Sequence, residues 1–371
     1  MHRFLTFIAI AFCLLRPATG QDIVLGNTLP FSGPLASAGK AARTGMEAYL
    51  ARVDREGGVG GRHVTLRSMD DAYQADRHVE NVRKLLEQDD VAALVLSAGT
   101  SNIDAAYADI QKSGKPLIGA LTGATVLRGA DHPLIYHLRA SYADEVRRLV
   151  QQAASVAQSR VYAVWQDDGL GRDAFAALEQ ALKERKLDLA GQRGVQVATM
   201  DAAALAKEIR ASKADALFML CITPCAGKVL QALASDGSYK LTPYALSIVN
   251  GETLSSSVGK AARGTVISQV LPNPHTATTP LVRRYQQDVK QYTGRSEFSY
   301  FSLEGYVAAM VAVEGVRAAY GGPAKRSLGD AMKSVAQREI NGIPVSAGSY
   351  KGTRPHPVTL SMIAHDGRLI H

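Results

Sequence analysis

Apolar positions along the chain switch between two periods. Short β-branched or continuously apolar runs recur at residues 23–25, 63–66, 91–96, 116–118 and 134–136, and each predicts a strand. The series resumes at 161–165, 194–197, 216–220 and 244–248. Between the runs the spacing is helical: Met46, Tyr49, Leu50 and Val53 stand at i, i+3, i+4, i+7 within a helix over 45–53, broken by Gly57-Gly58-Val59-Gly60-Gly61. Val79, Val82 and Leu86 mark the next helix, 105–110 another, and Phe175, Leu178 and Leu182 a later one. The near-continuous run 91–96 is typical of a parallel strand covered on both faces. Pro272, Pro274 and Pro280 mark a connection, followed by helices over 281–292 and 302–320, a late strand over 357–363 and a turn at Asp366-Gly367. Strand-helix alternation of this kind means βαβ units, and an α/β fold built on parallel sheets.

With 371 residues, 46% of them hydrophobic and 20% charged, the chain exceeds one core and calls for two domains. Residues 1–20 read as a secretion signal rather than as part of the fold. Arg3 opens them, an apolar run from Phe4 to Leu15 follows, and Ala18-Thr19-Gly20 supplies small residues for cleavage before Gln21. That run is too short to span the roughly 30 Å of a bilayer core. Phe12 before Cys13 and Leu14-Leu15 after it argue against a lipoprotein cysteine. The expected destination is the periplasm. Loss of the segment removes Arg3 and Arg16 from the +8 charge, leaving interleaved charges with no basic stripe, so nucleic acid is not an expected partner. Cys221 and Cys225 remain, compatible with a short-loop disulfide or with free thiols; export favours the disulfide.

No catalytic or metal motif survives inspection. Gly33-Pro34-Leu35-Ala36-Ser37-Ala38-Gly39-Lys40 has one residue too many for a phosphate loop, and Ala41 stands where a hydroxyl should hold Mg²⁺. The nine histidines show no ligand spacing, and no G-x-S-x-G elbow occurs. Asp70-Asp71 and Asp167-Asp168 pair acids on extended segments, where neighbours point in opposite directions. Such loop acids ordinarily cap helices. More informative are two small-residue loops after successive predicted strands, Ser97-Ala98-Gly99-Thr100-Ser101-Asn102 and Leu121-Thr122-Gly123-Ala124-Thr125. Their hydroxyls and amides, beyond the carboxyl ends of parallel strands, suit a carboxylate or another small anion.

Several segments together resemble the type I periplasmic solute-binding proteins of ABC importers, the leucine/isoleucine/valine-binding protein-like family. They are Leu29-Pro30-Phe31-Ser32-Gly33-Pro34, Glu56-Gly57-Gly58-Val59-Gly60-Gly61-Arg62, Asp70-Asp71, Thr122-Gly123-Ala124, Arg139-Ala140-Ser141-Tyr142, Asp167-Asp168-Gly169-Leu170-Gly171 and Tyr300-Phe301-Ser302-Leu303-Glu304-Gly305-Tyr306. The resemblance runs from about Asp22 to the C-terminus.

It implies two Rossmann-like lobes joined by three chain crossings, near Arg139, Pro272 and Asn341. The first lobe would comprise 22–138 and 272–340, the second 139–271 and 341–371. It also implies a monomeric receptor, without cofactor, metal or enzymatic activity, that holds an amino acid or related carboxylate or amide and presents it to a membrane permease. The same fold would serve an extracytoplasmic sensor of a signalling system. By resemblance the ligand contacts in the first lobe are Thr100, Ser101, Asn102, Thr122 and Gly123, with Ala38 where amino-acid binders often carry an aromatic. Those in the second lobe are Leu170, Ile222, Thr223, Asn250 and Glu252. Leu170 replaces a frequent Tyr, and Glu252 is the candidate partner for a ligand ammonium. Fewer aromatics imply a roomier, more apolar pocket.

Overall fold

The computed structural model describes residues 21–235, 240–321, 326–336, 338–347 and 355–371. The expected signal segment lies outside them. The first sheet forms from β1 (Ile23–Leu29), β2 (Val64–Asp70), β3 (Ala93–Ala98), β4 (Leu117–Leu121) and β5 (Ile135–His137), interleaved with α1 (Ala36–Arg55), α2 (Ala75–Arg83) and α3 (Thr100–Ser113). The second repeats the scheme with α4 (Tyr142–Ser155), β6 (Arg160–Gln166), α5 (Gly169–Arg185), β7 (Asp188–Val195), α6 (Ala202–Ala211), β8 (Ala216–Leu220), α7 (Thr223–Ala234), β9 (Thr242–Ala245), α8 (Gly251–Val258) and β10 (Val266–Gln269). The chain then returns through α9 (Pro280–Thr293), α10 (Tyr300–Tyr320), α11 (Leu328–Val335) and the two-residue strands β11 (Glu339–Ile340), β12 (Ile343–Pro344) and β13 (Ser346–Ala347). It ends on β14 (Thr359–Ile363) and β15 (Leu369–Ile370).

The strand orders are β13-β5-β4-β3-β1-β2 and β15-β14-β10-β9-β8-β6-β7. The five strands β2-β1-β3-β4-β5 and the five strands β7-β6-β8-β9-β10 are all parallel and share one order. In that order the winding reverses between β1 and β3, and again between β6 and β8. At such a switch point the helices that follow the two strands diverge and leave a crevice beyond the strand ends.

The chain leaves the first sheet after β5, returns after β10, and leaves again between Ala347 and Thr359. The last passage falls later than the sequence suggests. Ser346 and Ala347 pair antiparallel with His137 and Tyr136 at the first sheet's edge, so they belong to the first lobe. Asn341 is not a hinge residue. It takes a left-handed φ of 51° in the turn between β11 and β12, and its amide donates to Met310 Sδ on α10. A two-residue strand carries too little apolar pattern to be read from sequence.

Other differences have equally local causes. The helix expected at 45–53 begins at Ala36, because its first turns carry small residues rather than an apolar stripe. Those small residues let α1 and α10 meet backbone to backbone. A Cβ on Gly45 would lie 1.8 Å from the Ser302 carbonyl oxygen, and one on Gly305 1.9 Å from that of Ala42. The strand expected at 194–197 is the tail of β7, an edge strand whose half-exposed polar positions hide it. The interiors of both sheets follow their apolar runs, with β3, β4 and β8 buried along their whole length.

One buried ion cluster ties the lobes at the first crossing. Arg139 is 1% exposed; its Nη1 donates to Glu304 Oε1 at 3.2 Å and its Nη2 to Glu145 Oε1 at 3.4 Å. Glu304 stands on α10 in the first lobe and Glu145 on α4 in the second. Arg139 also bonds Ser247 Oγ, while Glu145 Oε2 accepts from Ser247 N at 2.8 Å and Ser268 Oγ at 2.6 Å. Burial pushes the Glu304 carboxyl up, and the Arg139 charge opposes it. Two carboxylates share this one guanidinium, so removing it leaves both buried without a counter-charge. Arg139→Met is therefore expected to cost about 3–5 kcal/mol in urea unfolding at pH 7; an unchanged midpoint would contradict this account of the crossing.

Candidate functional site

The cleft is framed by loops leaving the carboxyl ends of both sheets. From β3, Gly99 at φ 93° turns the chain into α3, with no side-chain cap and no acid in its first turn. Thr100 and Thr122, 2% and 1% exposed, share a 2.7 Å hydrogen bond. Thr122 also donates to the Tyr142 hydroxyl at 3.3 Å and accepts from Ala124 N at 3.2 Å. The two hydroxyls thus form a buried chain ending on Tyr142 at the first crossing. Burial pushes the Tyr142 phenol up to about 12, against the pull of Arg139. Gly123 serves this packing, since a Cβ there would lie 2.6 Å from Tyr142 Cδ1.

The lobes bridge where α3 meets α5. Gly169 N, at the start of α5, donates to Ser101 Oγ at 3.0 Å across the cleft. Asp173 Oδ1 accepts from Thr125 N at 2.9 Å and Val126 N at 3.3 Å. Tyr73 makes a third bridge. Ala72 and Tyr73 both hold left-handed φ angles, 50° and 63°, and their amides donate to Asp70 Oδ1 and Asp71 Oδ1 at 3.0 and 2.8 Å. This loop carries Tyr73 to Gln166, to which its phenol is hydrogen-bonded; burial, then the charge of Asp168, pushes that phenol well above its ordinary value. Burial would raise the Asp70 carboxyl as well, but hydrogen bonds from Ser32 and from the Phe31, Ser32 and Ala72 amides hold it at about 2. The acidic pairs therefore hold loops: Asp71 also pairs with His78, and Asp168 caps α5 by accepting from Gly171 N at 3.1 Å.

Between the starts of α1 and of α7 and α8 the lobes stay apart and enclose a cavity of about 340 Å³. Ala38, Thr223 and Asn250 line it, as does Phe301 at the start of α10. Neither α1 nor α7 has a side-chain cap or an acid in its first turn; Ala36 N of α1 instead donates to Gly33 O at 3.2 Å and Cys225 N of α7 to Ile222 O at 3.0 Å, while Pro224 has no N–H to give. Asn250 caps α8, accepting from Thr253 N at 2.6 Å, and its own amide donates to Thr223 Oγ1 at 2.9 Å.

Of the residues singled out from sequence, the structure gathers Ala38, Thr223 and Asn250 at the cavity and Thr100, Thr122 and Ser101 at the bridged end. The remainder stand elsewhere. Asn102 donates to Ala98 O within its own strand-helix turn. Leu170 and Ile222, 2% and 1% exposed, belong to the hydrophobic core. Glu252 is absent from the cavity wall and accepts from His275 Nε2 at 3.0 Å. Sequence reasoning passed over Tyr73, Phe301 and Lys228, the last also on the cavity wall. Phe301 lay inside a quoted motif; nothing in the sequence near Tyr73 signals its left-handed turn.

Cys221 and Cys225 form a disulfide, Cα atoms 6.0 Å apart, at the join of β8 and α7. It fixes the turn that delivers Thr223. Among the described residues, no three His, Cys, Asp or Glu side chains converge as a metal site requires.

Two parallel sheets of one strand order, with their switch points facing across a shared cleft, define a two-lobed α/β binding architecture. A family profile described as periplasmic binding protein matches residues 22–368, and the chain belongs to that family. The Leu/Ile/Val-binding protein homolog 7 of Brucella melitensis biotype 1 is 24% identical over 334 residues, covering 85% of this chain and 82% of the relative. The crystal structure of an extracellular ligand-binding receptor from Verminephrobacter eiseniae is 27% identical, with a TM-score of 0.84 over 94% of this chain and all of the other. A solute-binding protein of an ABC transporter from R. palustris, in complex with 4-hydroxybenzoate, is 18% identical, with a TM-score of 0.82 over 94% and 95% of the two chains.

Two expectations follow. A Cβ at Gly169 would lie 2.9 Å from Ser101 Oγ and 3.1 Å from Thr100 Cγ2. Gly169→Val should therefore prise α3 from α5, and the ligand-free variant should show a larger radius of gyration in X-ray scattering than the parent. Replacing both Cys221 and Cys225 by Ala should lower stability by about 2 kcal/mol, the value for so short a closed loop. Calorimetric melting checks the second.

Proposed function

We propose that this protein is the extracytoplasmic solute-binding component of an ABC importer. It takes a small carboxylate, whether an amino acid or a related acid or amide, between its lobes and presents the closed form to a membrane permease. The observation that carries the reading is the facing of the two switch points. Hydroxyls from both lobes flank one gap, and the polar bridges Ser101–Gly169 and Asp173–Thr125 already cross it. The names of similar proteins support a small-molecule ligand without agreeing on one: a Leu/Ile/Val-binding homolog on one side, a 4-hydroxybenzoate complex on the other.

The work is done by binding alone. A solute stabilises the closed state only by contacts it makes better there than in the open state. Ala38 and Phe301 would touch it from the first lobe, Thr223 and Asn250 from the second, so their joint engagement requires closure. The crossings at 138–141 and 270–279 absorb the backbone change. No covalent step is needed.

The test is protein stripped of solute by unfolding and refolding, then titrated with a library of amino acids, aliphatic acids, aromatic acids and their amides. A true ligand at about 100 times its Kd should add roughly 2.7 kcal/mol of stability, raise the melting temperature and shrink the radius of gyration. Melting curves and scattering profiles that do not move for any compound would refute capture by closure.

A further inference from the structure

The cavity wall carries one charged side chain, Lys228. Its Nζ donates one hydrogen bond, to the Val197 carbonyl oxygen at 2.8 Å, and an ammonium has three protons to give. No Asp or Glu lines the cavity among the described residues. The acids around the cleft are engaged in holding it together. Asp70 and Asp71 fix the Tyr73 loop. Asp168 accepts from Gly171 N and, at 2.5 Å, from Gln166 Nε2. Asp173 bridges to Thr125 and Val126, and Glu145 and Glu304 share Arg139. Glu252, closest in sequence to the wall residues Asn250 and Thr253, is the exception: it stands off the wall with Oε1 on His275 and Oε2 buried without a hydrogen-bond partner, and its charge is felt by Tyr300 and His371.

The rest of the wall is mostly carbon, from Pro34, Leu35 and Phe301 among others, with the neutral polar side chains of Ser37, Gln231 and Ser257 and no acid. A free amino acid brings two charges into this space. Its carboxylate would meet Lys228 and the Thr223 hydroxyl. Its ammonium would meet no carboxylate, would lose water on closure, and would be repelled by Lys228. An ion taken out of water without a partner costs several kcal/mol.

From this charge inventory we infer that the ligand is a monocarboxylic acid with an apolar body and no α-ammonium group. The inference rests on the interlobe capture proposed above and narrows its ligand class. It separates this chain from amino-acid receptors by the charge of the cavity wall rather than by pocket size.

Matched pairs that differ in the ammonium test it by isothermal titration calorimetry: leucine against 4-methylpentanoate, and phenylalanine against 3-phenylpropanoate, with solute-free protein. In at least one pair the acid should bind more tightly by about tenfold or more, the scale set by an unpaired desolvated charge. Asn250→Asp adds a carboxylate to the wall while keeping an equally good helix cap. It should weaken the acid and narrow or reverse the preference. Amino acids that bind as tightly as their deaminated partners in both pairs would overturn the inference and leave capture standing. So would a closure driven only by ammonium-bearing solutes. If no solute closes the lobes, the capture reading falls, and this inference with it.

Discussion

Arg139 is the constraint around which the two lobes are arranged. A guanidinium removed from water must be met by carboxylates from whatever surrounds it, and here they come from different lobes: Glu304 on α10 and Glu145 on α4. Ser247 completes the set and ties the loop after β9 to the same point. Arg128 reinforces it, donating to the carbonyls of Arg139 and Ala140 at 3.0 and 3.1 Å; burial first, then the neighbouring Arg139 charge, lowers Arg128 to about 10. The first crossing is thus a pinned joint, and Tyr142, three residues on, passes its position to Thr122 and Thr100.

From that joint the chemistry of the gap follows by topology. Identical strand orders place two switch points opposite one another, so α1 and α3 of one lobe confront α5 and α7 of the other. Where helix starts approach closely, as at Ser101 and Gly169, the lobes make hydrogen bonds. Where small and apolar residues stand, as at Ala38 and Phe301, they leave room. Glycine decides both. Gly45 and Gly305 draw α10 against α1 and so bring Phe301 to the cavity, while Gly169 lets α5 approach α3.

Much of this was readable in the residues. Apolar runs located β3, β4, β6 and β8 because those strands are covered on both faces. The resemblance pointed to the Thr100 and Thr122 loops and to Thr223 and Asn250. What escaped reading depended on tertiary contact. The first turns of α1 are made of small residues whose role exists only in tertiary contact, Gly39 against the Pro30 carbonyl and Ala42 against α10. The edge strands β7 and β13 are too polar or too short to show a period. Tyr73 reaches the cleft through consecutive left-handed residues held by Asp70 and Asp71, and a pair of adjacent acids read alone says nothing of that. Glu252 shows how neighbouring residues in a helix point different ways. Asn250 and Thr253 share the cavity while Glu252 turns to His275.

The uneven distribution of bridges along the cleft has a kinetic meaning. Side-chain-to-amide links knit the halves at the α3–α5 edge, whereas beside α8 they meet through side chains, the Tyr300 hydroxyl lying 3.4 Å from the His371 ring nitrogens. A visiting molecule would then come and go on the α7–α8 flank. How long it stays would be governed by the swing of that flank rather than by wholesale separation of the halves.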